Sequence, residues 1–194
     1  MNEWQEILDA ARAASAQPAE FRRLARRARQ MRRSGSRPDG ARPARLALLG
    51  RSTLDTLAPQ LELALLTRGI VPEIFSAPYG SFMQELIDPE SATVQFAPQF
   101  AIVVLTPFDI PEWPSTHAGA QEADAVAERV AKQLLASCEQ LRKRCGTEVL
   151  IDNFHALPTR PFGNVGARIA GDRNNFIQRL NVKLGDLVPI LWHL

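Results

Sequence analysis

Apolar and polar positions recur along this chain with changing periods, and the changes mark its elements. Trp4, Ile7, Leu8 and Ala11 fall at helical spacing and predict an amphipathic helix over 3–14. Gln17-Pro18-Ala19-Glu20 opens a second helix, since proline is tolerated in a first helical turn. Phe21, Leu24, Ala28 and Met31 give that helix, about 19–33, a narrow apolar stripe, and arginines fill its other faces. From Arg45 to Gly50 the pattern becomes a continuous apolar run, Leu46-Ala-Leu-Leu49. Such a run predicts a strand buried on both faces. Leu54, Leu57, Leu61, Ala64 and Leu65 then return to helical spacing over 53–68, which Gly69 ends.

The alternation repeats. Strand 71–75 leads through Ser76-Ala-Pro-Tyr-Gly80 into a short helix near 81–87, broken at Asp88-Pro89. Strand 100–106 is apolar until its last residue. A proline-rich loop, 107–118, precedes a long helix over 119–144. Strand 147–152 follows, then a loop over 153–171, a helix over 172–185 and a short strand, 187–192. This order predicts an α/β fold: a five-stranded parallel sheet with helices on both faces and right-handed crossovers. Ser34-Gly-Ser-Arg-Pro-Asp-Gly-Ala-Arg-Pro43 is a linker by composition. The expected organisation is a helical, Arg-rich segment at 1–34, a linker at 35–43 and an α/β domain at 44–194.

Charge sharpens that division. Residues 1–45 hold 11 Lys+Arg against 5 Asp+Glu, a net +6, while the remainder carries −4. The excess concentrates in one helix, where Arg22, Arg23, Arg26, Arg27 and Arg29 are the candidate contacts to an acidic partner. Nucleic acid is disfavoured, because the core is acidic and no aromatics interleave with the arginines. No apolar run is long enough to span a bilayer. The start, Met1-Asn-Glu-Trp-Gln-Glu, reads as neither a signal nor a transit peptide. Cys138 and Cys145 read as reduced thiols of a cytoplasmic protein. No Cys/His cluster has zinc-ligand spacing. No metal or cofactor is expected.

In an open parallel sheet, ligands bind outside the carboxyl ends of the strands. Gly50-Arg51-Ser52-Thr53, Tyr79-Gly80, Thr106-Pro107-Phe108-Asp109, Asp152-Asn153-Phe154-His155 and Trp192-His193 all meet there. Ser52 has two readings: a nucleophile on an exposed turn, or the N-cap of the next helix. Arg51 can hold a carboxylate or phosphate, or make a surface ion pair. Gly80 can donate an N–H to an oxyanion, or be an ordinary loop glycine. Asn153 and Asp152 can orient a ligand or terminate a strand. The long loop after them offers Arg160 and Asn164 as ligand contacts. Asn174 and Asn175 follow; Asn175 is a ligand candidate, and either residue can cap the last helix. Thr53 and Tyr79 complete the candidate ligand set. A nucleophilic serine needs a general base. His155 and His193 follow strands, whereas His117 lies in the proline-rich loop.

Residues 44–186 resemble the N-terminal SGNH-hydrolase-like domain of FkbH-like proteins, in subfamily IIIC of the haloacid dehalogenase (HAD) superfamily. The resemblance rests on five stretches. They are Leu46-Ala-Leu-Leu-Gly-Arg-Ser-Thr-Leu-Asp55, Tyr79-Gly-Ser-Phe-Met-Gln-Glu-Leu-Ile-Asp-Pro-Glu-Ser91, Leu150-Ile-Asp-Asn-Phe154, Arg160-Pro-Phe-Gly-Asn164 and Asn174-Asn-Phe-Ile-Gln-Arg-Leu-Asn181. The resemblance implies polyketide or related natural-product biosynthesis, in which a following HAD domain loads a glyceryl unit onto an acyl carrier protein. The Asp-x-Asp-x-Thr/Ser motif of that HAD domain does not occur here, so its chemistry is not assigned to these residues.

Against the SGNH scheme, Ser52 takes the nucleophile position and Gly80 the oxyanion glycine. Arg51 stands where such esterases have aspartate. Thr106-Pro-Phe-Asp109 lacks the asparagine of the third block, and losing one oxyanion donor costs about 100- to 1000-fold in rate. Ile190 stands where an aspartate should precede His193 by three residues. The first expectation is therefore an accessory domain, weakly catalytic or not at all. It would bind an acidic acyl carrier protein or its acyl- or glyceryl-phosphopantetheine group. The second is an active esterase, thioesterase or acyltransferase with Ser52 as nucleophile and His193 or His155 as base. The third is a docking domain for a HAD phosphatase partner, in cis or in trans.

Overall fold

The computed structural model describes residues 3–14 and 17–187. Four parallel strands form the sheet: β1 (Arg42–Gly50), β2 (Ile70–Ser76), β3 (Phe100–Val104) and β4 (Glu148–Ile151), in the order β2-β1-β3-β4. The α/β class and parallel pairing are as the pattern predicts. Five strands are not. Among the described residues there are four. The expected fifth, 187–192, lies outside those residues except for Leu187, which ends a helix. The apolar run that reads as a strand start there is, at its first residue, the last turn of helical packing.

Register decides which residues enter which layer. Leu46 pairs with Ile74 on one side and Phe100 on the other, so alternate residues of neighbouring strands share a face. Ala47, Leu49, Ala101 and Val103 are fully buried under α4 (Phe82–Ile87), α6 (Ala120–Cys145) and α7 (Arg173–Leu187). Leu46 and Leu48 face α3 (Leu57–Leu66) through Ala58, with Leu54 beside it. Two helices, α1 (Glu3–Ala13) and α2 (Pro18–Arg33), form a further layer behind α3. Trp4, Ile7, Leu24 and Ala28 pack there with Leu63, Leu66 and the β2 residue Val71. The Trp4 indole N–H donates to Ser36 Oγ at 2.6 Å, which ties the segment between α2 and β1 to the first helix. Among the described residues no helix is long and apolar enough to cross a membrane.

Local differences from the pattern have local causes. Helix α3 starts at Leu57, not 53, because Leu54 turns into the core and its carbonyl accepts the Leu57 and Ala58 N–H groups. A short helix, α5 (Ala92–Phe96), follows the Asp88-Pro89 break. The Ser91 hydroxyl caps it by accepting from Val94 N, and the buried Glu85 carboxylate accepts from Thr93 N and Oγ1. Cys138 is a buried core residue. Burial pushes its thiol up to about 11, which keeps it protonated and unreactive.

Candidate functional site

Chain order places a crevice at the top of the sheet. β1 connects to β2 on one side, while β3 returns on the other. Their carboxyl ends diverge between β1 and β3, the position at which doubly wound sheets bind ligands. A shallow pocket of about 310 Å³ lies there, lined by Arg51, Ser52, Tyr79, Thr106 and Phe108. Three of these come from the expected set. Thr106 and Phe108 were recognisable only as part of a converging segment.

Each wall has a local reason. Gly50 ends β1 against β3, where an added Cβ would sit 3.0 Å from the Val104 carbonyl oxygen. The chain can bend away at Arg51-Ser52 because no side chain fills that contact. Ser52 does not cap α3: the residue before that helix is Thr56. The N-cap reading of Ser52 is therefore corrected, and its hydroxyl stays on the exposed bend. The Arg51 Nη1 donates to Phe108 O at 2.8 Å, which joins the β1 and β3 walls and leaves its other N–H groups open. Tyr79 and Phe108 form the rim, 75% and 76% exposed.

Beneath the rim lies a tight turn. Pro107–Asp109 is a 3₁₀ turn, entered with proline early and aspartate three residues after Thr106. One Asp109 oxygen, Oδ2, accepts both the Thr106 N–H and its hydroxyl at 2.7 Å. The other, Oδ1, is buried and has no hydrogen-bond partner among the described residues. On the β4 side, Asp152 Oδ1 accepts the Leu105 N–H at 2.6 Å. Successive amides leaving β3 are thus held by two different carboxylates.

Partial burial raises the Asp152 carboxyl above its ordinary value, and the nearby Asp109 charge adds to the rise. Hydrogen bonds from the Leu105 and Asp152 N–H groups and the proximity of His155 oppose it. Between the ordinary value of 3.8 and the raised native value, the folded state binds more proton than the unfolded one. This group's contribution to stability therefore falls as pH rises through that window. A carboxyl ¹³C titration should place the Asp152 midpoint above 3.8, and Asp152→Asn should remove the corresponding slope from stability against pH. A midpoint at or below 3.8 would refute the assignment.

The remaining candidates sit elsewhere. Thr53 and Gly80 adjoin the pocket in sequence but do not line it; Gly80 takes a left-handed φ of +77°, as a turn glycine does. Asn153 and His155 are exposed beyond β4. Among the described residues no hydrogen bond joins Ser52 to an imidazole, and His193 lies outside those residues. Arg160 and Asn164 are exposed on the long loop. Asn175 holds that loop: its Nδ2 donates to Ile169 O at 3.0 Å and Ala167 O at 3.3 Å. Asn174 binds Leu157 N and O, and Asn181 binds Phe154 N and O. Asp172, not an asparagine, caps α7 by accepting from Asn174 N and Asn175 N. The three asparagines lash the segment after β4 to the last helix.

Comparison with known proteins gives one family and one fold neighbour of note. The family described as "FkbH, N-terminal domain" matches residues 45–190. No curated protein matches the chain. A crystal structure of the N-terminal part of the protein BF1531 from Bacteroides fragilis, containing a phosphatase domain complexed with Mg, is similar with a TM-score of 0.61 at 16% identity. The match covers 96% of this chain and 42% of that one. This chain thus spans less than half the length of that structure, and at this identity the likeness is one of fold.

Proposed function

We propose, from the premise that the chain belongs to the FkbH N-terminal domain family, that it is the accessory domain of an FkbH-like protein and binds rather than converts its ligand. The ligand we assign is the acyl- or glyceryl-phosphopantetheine group of an acyl carrier protein, in polyketide or related biosynthesis. The observation that carries this reading is the crevice between the ends of β1 and β3. It offers a partly free guanidinium from Arg51 and an unengaged Ser52 hydroxyl, with no imidazole bonded to that serine among the described residues. Such a site can hold carbonyl or phosphate oxygens. Among the described residues it holds no base in contact with the nucleophile. The second partner we assign is a phosphatase domain, in cis or in trans. Its support is the fold neighbour, whose chain extends well beyond the matched part and contains such a domain.

Calorimetric titration with S-glyceryl-phosphopantetheine tests this. Arg51→Ala should weaken binding about tenfold, the loss of roughly one charge-assisted hydrogen bond. Ser52→Ala should leave any hydrolysis of short acyl esters unchanged. If the ligand does not bind, or Arg51→Ala binds it equally well, the reading fails. If Ser52→Ala abolishes real ester turnover, the esterase reading replaces it.

A further inference from the structure

Behind α3, beside the residues that lead into β2, lies a hollow of about 560 Å³ lined by Ala11, Arg12, Phe21, Ala64, Thr67 and Arg68. Its floor is apolar: Ala11, Phe21 and Ala64. Its rim is cationic. Arg12 is engaged with Asp9 and with Thr67 O. Arg68 gives one N–H to Ala64 O and keeps the rest of its fork open.

The adjoining helix carries the complement. Arg22, Arg26, Arg29 and Arg33 are spaced four, three and four apart, so they form one stripe along α2. Arg29 reaches Glu62 of α3 at 3.5 Å, which places the stripe on the α3 side of the helix, and Arg22 directly follows Phe21 of the hollow. The arginines off this stripe are used internally: Arg23 pairs with Glu20, Arg27 with Glu3 and Arg32 with Glu62. Arg22, Arg26 and Arg33 are exposed and have no ion pair or hydrogen bond among the described residues. Like charges one turn apart, as in Arg22–Arg26 and Arg29–Arg33, weaken a helix. The stripe is therefore a cost to the isolated chain that opposite charges would relieve.

We propose that the stripe and the hollow together dock an acidic amphipathic helix of a protein partner. One apolar side chain of that helix fills the hollow, and carboxylates spaced one and then two turns apart meet Arg22, Arg26 and Arg33. Guanidinium forks suit carboxylates bidentately. An apolar floor inside a cationic rim fits a buried anchor with a charged surround better than it fits a phosphate backbone. The surface is also remote from the crevice. It adjoins the residues entering β2, whereas the crevice follows the strand ends, and β1 alone spans about 30 Å. This inference rests on the reading of an acidic partner above, but not on the crevice ligand.

The test is a fluorescence titration of the full chain with a synthetic helical peptide. The peptide carries glutamates at i, i+4 and i+11 on one face and a leucine beside them. Binding should fall at least tenfold for Arg22→Gln/Arg26→Gln/Arg33→Gln, and again for Ala64→Trp, which fills the hollow. Arg51→Ala should bind the peptide as the parent does. A peptide of the same composition, scrambled so that its glutamates share no face, should bind at least tenfold more weakly. Equal binding by the triple variant or by the scrambled peptide, tighter binding of an RNA oligonucleotide, or no binding of the peptide would each overturn the proposal. The peptide carries no pantetheine, so its failure leaves the crevice reading standing.

Discussion

Replacing Gly171 with alanine is expected to cost the fold about 3 kcal/mol or more. Gly171 lies at the end of the long loop, immediately before the Asp172 cap of α7, and it is buried. An added Cβ would collide with the Ser115 carbonyl oxygen and sit 2.8 Å from its carbon and 3.0 Å from Thr116 Cα. All three obstacles are backbone, so no side-chain rotation relieves the clash. Two segments must part: the proline-rich loop that follows the Pro107–Asp109 turn, and the junction that starts α7. The first continues directly from the turn that carries Phe108 of the crevice. The second carries Asn174 and Asn175, which hold the loop after β4. Thermal unfolding should show a drop of roughly 6–12 °C for a chain of this size. Fluorescence of Trp113, whose ring packs at a tilt against Phe176 of α7, should report the loosening. A drop of less than about 2 °C would mean that the two backbones are not in contact in solution.

The ability to read this molecule from its sequence followed the reach of each signal. Helices α1 and α6 ended within a residue or two of expectation, because periodic apolar positions and local breakers decide them. Helix α3 began four residues late, because Leu54 answers to the core rather than to its neighbours. Helix α5 was missed: five residues held by Ser91 and by Glu85 from another turn leave little period to detect. The crevice was legible as a place, since strand–turn boundaries put Arg51, Ser52, Tyr79 and Thr106 at one edge. Its interior was not. Nothing local in Thr106-Pro-Phe-Asp109 says that one carboxylate oxygen will be satisfied twice and the other buried without a partner. Likewise Asn174 and Asn175 looked like caps or ligands. Only tertiary contact turns them into ties between loop and helix. The Arg-rich helix reads from sequence as one uniform patch. The structure divides it, because Glu62 is a buried residue on a different helix.

That division sets the second large effect. Arg32→Ala is expected to destabilise the chain by about 2–4 kcal/mol, more than any other arginine of α2. Glu62 is 6% exposed, and its Oε1 meets Arg32 Nη1 at 2.5 Å. The same Nη1 also donates to Pro72 O at 2.8 Å, so one guanidinium joins α2, α3 and the start of β2. Removing it leaves a buried carboxylate with only Arg29, at 3.5 Å and itself 41% exposed, to compensate. An uncompensated buried charge costs more than the pair contributes. The double variant Arg32→Met/Glu62→Leu should therefore recover most of the loss, because neither charge remains to be solvated. Arg22→Ala and Arg26→Ala, which break no pair, should each lie within about 0.5 kcal/mol of the parent. Urea unfolding of these four proteins is the measurement. If the double variant were no more stable than Arg32→Ala, side-chain packing rather than the buried charge would be what holds the helical layer to the sheet. If Arg26→Ala matched Arg32→Ala, the split between internal and outward-facing arginines would be lost.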